Sequence, residues 1–313
     1  MGPWLVRLSE GSDQPACDSK DSEWLTDELD VDTEKFKRGQ NFFKKNLMQC
    51  VLAMLTSLVA GLSVKNLLEV LIATQKSSTA KASLYRYLDT FRHIMRWHYG
   101  SVFDEKSSAA LSIQQVRRMH SSARTMMQAK SDNTAHDDKP DRVFVSQYDM
   151  AVVQSGFFGM IIMYPREMGI RCTVDDLDDY VYFWRWIGSF LGINDQFNIC
   201  IHGYAEAFDI CKEIETEIVV PSNIDPPPGA QEMVEAFVNG LNLFSPVSFY
   251  SSKCILNKCY NLVQKPPPFE MTFYDRCRKL FFDFMLTALY YVPIFSKLCN
   301  RSIEAVFNAK SIT

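Results

Sequence analysis

Histidine is scarce, with five in 313 residues. Glycine and proline are thin as well, thirteen of each and spread along the chain, which excludes collagen-like and low-complexity classes. The nine cysteines are odd in number and scattered, and no Cys-x-x-Cys occurs. A disulfide framework and zinc-site spacing are therefore both missing, and a reducing compartment is the expectation. There is no glycine-rich phosphate loop, no Gly-x-Ser-x-Gly elbow and no His-Glu-x-x-His. The opening MGPWLVRLSEGSD has no apolar signal core, and Val6 breaks the myristoylation pattern. Strand-like alternation is confined to Arg142–Val145, and no repeat of 20–50 residues is visible.

Charge of one sign is also in short supply. Residues 1–34 hold ten acids and two bases, a net of −8, against −4 for the whole chain, so the rest carries +4. That excess is too small and too dispersed for a nucleic-acid partner, which needs a concentrated basic footprint. What the chain does have is apolar matter, 47% of residues with 13% aromatic, which rules out global disorder. The predicted organisation is a disordered acidic head over 1–34 and one all-α domain over 35–313.

Helical spacing fills that domain. Residues 80–99 form one predicted helix. Ser112 with Gln115 predicts a capped start for a helix over 113–129, and the polar residues 130–142 read as an exposed loop. Ser146-x-x-Asp149 opens a helix over 147–164. Thr173-x-x-Asp176 opens another, with Val174, Leu177, Val181, Trp184, Ile187 and Leu191 on one face. Asn46–Val64 carries no charge and at roughly 1.5 Å per residue just reaches across a hydrocarbon core. Its Gln49, Thr56, Ser57, Gly61 and Ser63 favour a core helix, or two helices meeting near Gly61. Leu280–Phe295 is broken by Asp283 and Pro293. Its aromatics and basic flanks suit either core packing or an interfacial helix in peripheral contact with a membrane.

Two constellations carry chemistry. Arg86, Thr90, His93 and Trp97 follow one another at helical spacing and share a face. A polar stripe beside a tryptophan suggests the wall of a cavity rather than a solvated face. His120 lies on a stripe with Ile113, Val116 and Ala123. It is either a satisfied core histidine or a neutral imidazole in an apolar pocket, the form in which histidine ligates haem iron.

At these residues the sequence resembles the catalytic domain shared by bacterial rubber oxygenases (latex-clearing proteins) and the ER-bound fungal oxygenase mpaB. The match runs through Arg86-Tyr-Leu-Asp-Thr90, then 29 residues, then His120 within Val116-Arg-Arg-Met-His120. Asp178-Asp-Tyr-Val-Tyr-Phe-Trp184-Arg-Trp-Ile-Gly188 and Leu191-Gly-Ile193 are similar to a later helix of the family. The resemblance covers roughly residues 36–300. It implies a helical fold around haem b, with His120 as axial iron ligand and Arg86 and Thr90 in the haem pocket; the helical face they share then turns His93 toward the cofactor as well. It also implies O₂ as co-substrate and oxidative cleavage of a C=C bond in an isoprenoid-like or lipid substrate. Rubber-cleaving members carry Lys immediately before the Thr, where this chain has Asp89. They use an upstream glutamate as a base. Glu69 is the nearest candidate, the other reading being a glutamate on a helix surface. The departure at Asp89 keeps open a catalytically silent haem- or lipid-binding protein, a sensor or carrier. The chain is read as cytoplasmic, with the ER membrane surface as the location that the resemblance adds.

Overall fold

Hydroxyl caps set where several helices begin. The Ser146 hydroxyl accepts from the Asp149 amide at 3.1 Å, and the Asp149 carboxylate accepts from the Ser146 amide at 3.2 Å. Thr173 with Asp176 repeats this reciprocal box, as expected, and so does Thr272 with Asp275. The computed structural model describes residues 1–16, 30–75, 77–134, 142–243 and 249–309. In chain order the helices are α1 (Pro3–Ser9), α2 (Thr33–Lys45), α3 (Leu47–Gly61), α4 (Lys65–Thr74), α5 (Ala80–Tyr99), α6 (Ser108–Thr134) and α7 (Gln147–Met163). They continue with α8 (Val174–Phe190), α9 (Tyr204–Ile214), a π-helical turn (Glu215–Val219) and α10 (Val220–Ile224). The last four are α11 (Ala230–Asn242), α12 (Ser252–Leu262), α13 (Phe273–Tyr291) and α14 (Pro293–Ala309). The fold is all-α, with no strand among the described residues.

The middle of the core is α8. Its Tyr180, Phe183 and Trp184 are fully buried with Phe43 of α2 and Phe158 of α7. Helix α2 lies close against it because Gly39 has no side chain: a Cβ there would stand 2.4 Å from the Asp179 carbonyl oxygen. The two helices are pinned on both sides of that approach. Arg38 donates to both oxygens of Asp179 at 2.7 and 3.0 Å, and Lys35 reaches Asp178 at 2.5 Å. Helix α11 covers α5 through a second apolar cluster, in which Tyr87 meets Phe237 edge-on at 4.5 Å.

Helix α3 has no exposed residue: Leu47, Cys50, Met54 and Val59 are buried and Met48, Val51, Leu55 and Leu58 are half-buried, so it is a core helix. It meets α4 after Gly61 at a bend of 93°. No single described helix is long and apolar enough to cross a membrane, although α3 with α4, and α13 with α14, reach that length and composition as bent pairs.

Four expectations need correction. Residues 3–9, read as part of a disordered head, form α1. Leu5 and Leu8 are buried, and the Glu213 carboxylate accepts from the Trp4 and Leu5 amides at 3.4 and 2.7 Å. The acid count of the head concealed those leucines and Pro3, which suits a first helical turn. Residues 17–29 lie outside the described residues. Helix α6 begins at Ser108, because the Ser107 hydroxyl accepts from the Ala110 amide at 3.0 Å; Ser112 sits inside the helix. The same helix runs on to Thr134 through the first part of the expected loop, of which 135–141 lie outside the described residues. Arg142–Val145 is not a strand: Val145 has φ 51°, which breaks an extended run.

Candidate active-site cavity

Helices α4 to α8 line an open cavity of about 1550 Å³, to which the π turn, α10 and α14 also contribute through Ile218, Ser222, Glu304 and Phe307. Small-molecule pockets usually measure about 300–1,000 Å³, so there is room for two ligands side by side. Arg86, Thr90, His93 and Trp97 of α5 and His120 of α6 all line it. The helical face read from the sequence thus does look into a cavity, and His120 looks into the same one from the neighbouring helix.

Burial first, then the nearby Arg124 and Arg86 guanidinium groups, push His120 down to about 4. Its imidazole is therefore neutral at neutral pH. Arg86 donates to the Thr74 hydroxyl at 3.0 Å. No carboxylate pairs with it among the described residues, and burial lowers its pKa from the ordinary arginine value. Arginine remains charged even so. The Thr90 hydroxyl donates to the Arg86 carbonyl at 3.2 Å, so its single proton is committed to the helix. It offers lone pairs to the cavity, an acceptor rather than a donor.

His93 is more constrained. The Trp97 indole N–H donates to Ser112 Oγ at 3.0 Å, and Ser112 Oγ lies 2.7 Å from His93 Nδ1. Indole can only donate, so Ser112 Oγ accepts from Trp97, and the same hydroxyl ties down Nδ1 of His93 and leaves Nε2 as the free ring nitrogen of the pair. Burial and the Arg96 charge lower the His93 pKa. Sequence reading did not find Ser112 as the hydroxyl that orients both rings.

Glu69 is not among the residues lining the cavity. Its carboxylate accepts from Arg142 at 2.5 Å on the far side of α4. The carboxylates that do line the cavity are engaged. Asp149 caps α7 and accepts from Asn66 at 2.8 Å, Asp89 pairs with Arg92, and Glu304 accepts from the Tyr99 hydroxyl at 2.6 Å. Opposite α5 and α6 the wall is apolar, with Phe157, Trp184, Ile187 and Leu191. Gly188 keeps α8 close to α7 there, since a Cβ would lie 2.4 Å from Gln154 Nε2. Val145 joins the wall in its left-handed conformation. Its carbonyl accepts from Ala16 N–H at 3.2 Å, and Arg124 donates to the Ala16 carbonyl, so the N-terminal segment braces this part of the site.

The sequence model of the catalytic domain of ER-bound oxygenase mpaB/B′ and rubber oxygenase matches residues 46–221, more than half of the chain. The chain belongs to this family. Membership supports an oxygenase-type function. The match is narrower than the resemblance read over 36–300, yet it contains Arg86, Thr90, His93, His120 and the whole of α8. Of the cavity wall only Ser222, Glu304 and Phe307 fall beyond it. Neither curated proteins nor solved structures give a significant match to the chain.

The family resemblance implies haem b, and the donor set fits that group on three counts. The cavity is large enough for a macrocycle beside a substrate. His120 is an uncharged imidazole at its wall. Arg86 is a desolvated cation without a carboxylate partner. Among the described residues no three His, Cys, Asp or Glu side chains gather as they would around a bare metal ion. Haem brings its own ring nitrogens and asks the protein for an axial ligand.

Proposed function

We propose that the protein is a haem-dependent oxygenase acting on an apolar, isoprenoid-like or lipid substrate. The observation that carries the reading is the pairing, in one apolar-walled cavity, of a neutral His120 with an Arg86 that has no carboxylate partner. Haem b bound there would supply the iron at which O₂ is used to split a C=C bond. His120 would be its axial ligand, kept unprotonated by burial and by two cations. Arg86 would neutralise a propionate or another anionic oxygen in a site where water cannot. Thr90 would accept a hydrogen bond, and the His93 ring, held through Nδ1, would present Nε2. Phe157, Trp184, Ile187 and Leu191 would exclude water and hold an alkene by area alone.

Expression with added haem precursor tests this reading. The wild type should purify with a Soret band, and His120→Ala should lose most of it while keeping its helical circular dichroism. A colourless wild type overturns the ligand assignment. A second reading, a haem- or lipid-binding sensor or carrier without turnover, is favoured by one observation: each cavity carboxylate already has a partner, so none stands ready as a base. Oxygen uptake with an unsaturated isoprenoid separates the two, since a carrier would bind it without consuming O₂.

A further inference from the structure

The last two helices show apolar residues to water as well as to the core. A surface helix normally shows charge to water and apolar residues to the core. On α13, Phe273, Leu280, Phe284 and Tyr291 follow at steps of seven, four and seven, which puts them on one line along the helix. On α14, Ile294 and Leu298 stand one turn apart, while the inward positions include polar Ser296 and Asn300. Those two are buried and satisfied: Gln49 donates to Ser296 at 2.9 Å, Met48 N–H donates to Asn300 at 2.9 Å, and Asn300 donates to the Lys45 carbonyl at 2.8 Å. Phe273, Leu280, Phe284 and Ile294 are each 68–76% exposed. Phe249 stacks on Phe281 at 5.2 Å and widens the patch.

The charges on these helices select the partner. Every described acid is engaged. Asp275 is held by Thr272 and Ser251, Asp283 by Lys258 and Lys279, and Glu304 by Tyr99. Exposed Arg276, Lys297 and Arg301 have no acidic partner among the described residues. Aromatic and aliphatic side chains beside uncompensated cations match the chemistry of an interfacial helix on anionic lipid.

We propose that the outer faces of α13 and α14 form a docking surface for an anionic phospholipid bilayer. Both helices lie outside the matched family domain, so this surface belongs to the part of the chain added to it. Helix α14 also lines the cavity through Glu304 and Phe307, which sets the docked membrane one helix away from it. The proposal rests on the surface and not on the haem reading.

Vesicle sedimentation of the full chain tests it, with phosphatidylcholine vesicles and with vesicles that also contain phosphatidylserine. The protein should pellet with the anionic vesicles and be released by high salt. Phe284→Asp with Ile294→Asp should abolish pelleting. Arg276→Ala, Lys297→Ala and Arg301→Ala together should weaken it roughly a hundredfold, at about 1 kcal/mol for each cation near the surface. Leu111→Asp on α6 is an apolar-to-acid change at another exposed position, on another helix, and should leave pelleting unchanged. Light scattering without lipid completes the test. Absence of pelleting with either vesicle, equal loss in the Leu111 variant, or a dimer that Ile294→Asp dissolves would overturn the proposal, the last by assigning the face to a second copy of the chain.

Discussion

His98 and His120 are both neutral, and only one of them faces open space. His98 is wholly buried, stacked on Phe43 at 3.7 Å, and its ring nitrogen Nδ1 donates to the Ile94 carbonyl at 2.8 Å. Burial pushes it down to about 3. The unfolded chain therefore takes up this proton first, near pH 6.5, and stability is lost as pH falls from there toward 3. His98→Gln removes the titration. The variant should be less stable than wild type at pH 7, and the gap in unfolding free energy, read from urea denaturation, should narrow by about 2–3 kcal/mol at pH 4.5. A gap independent of pH would mean that His98 is protonated in the fold. Arg86 poses a different residue-scale question. Arg86→Ala should weaken hemin binding about tenfold or more, the usual worth of a hydrogen bond to a charged group, as read from a Soret titration. Arg118→Ala, on the exposed side of α6, should leave it unchanged.

At the scale of elements, the contact of α2 with α8 depends on one missing side chain. Gly39→Ala drives a methyl group into the Asp179 carbonyl. Overpacking of this kind typically costs about 1–3 kcal/mol, and thermal unfolding should show the loss. Element boundaries also show what could be read beforehand. Ser146 with Asp149 and Thr173 with Asp176 were legible because a capping box is local, complete within four residues. Thr272 with Asp275 carries the same signal and was open to the same reading. Ser112 misled because its hydroxyl serves His93 and Trp97 on another helix, a tertiary contact that no window of sequence contains. The polar stripe from Arg86 to Trp97 was legible from helical spacing with a tryptophan in it. Glu69 was not placeable, since its partner Arg142 stands 73 residues away. Ile294 fell in a stretch, Leu280–Phe295, that suited core packing or an interfacial helix alike, and the burial of Ser296 and Asn300 shows which side of α14 faces in.

At the scale of the whole molecule the cavity opens beside the main apolar cluster, and it is large. A ligand that binds the folded chain alone adds about 2.7 kcal/mol at a hundredfold excess over its Kd. Under the haem reading, saturating hemin should raise Tm by the order of 5 °C in wild type and far less in His120→Ala, measured by differential scanning fluorimetry. Closure of the same core has a schedule written into it. Asn300 satisfies the Met48 amide and the Lys45 carbonyl, where α2 breaks into α3, across 252 residues of chain. A ribosome adding about 5–20 residues per second needs roughly 13–50 s to make that length. The junction at the start of the catalytic domain thus emerges long before the side chain that seals it. For that interval the nascent protein carries an open helix break, and a chaperone that recognises unfinished helical cores would find its substrate there.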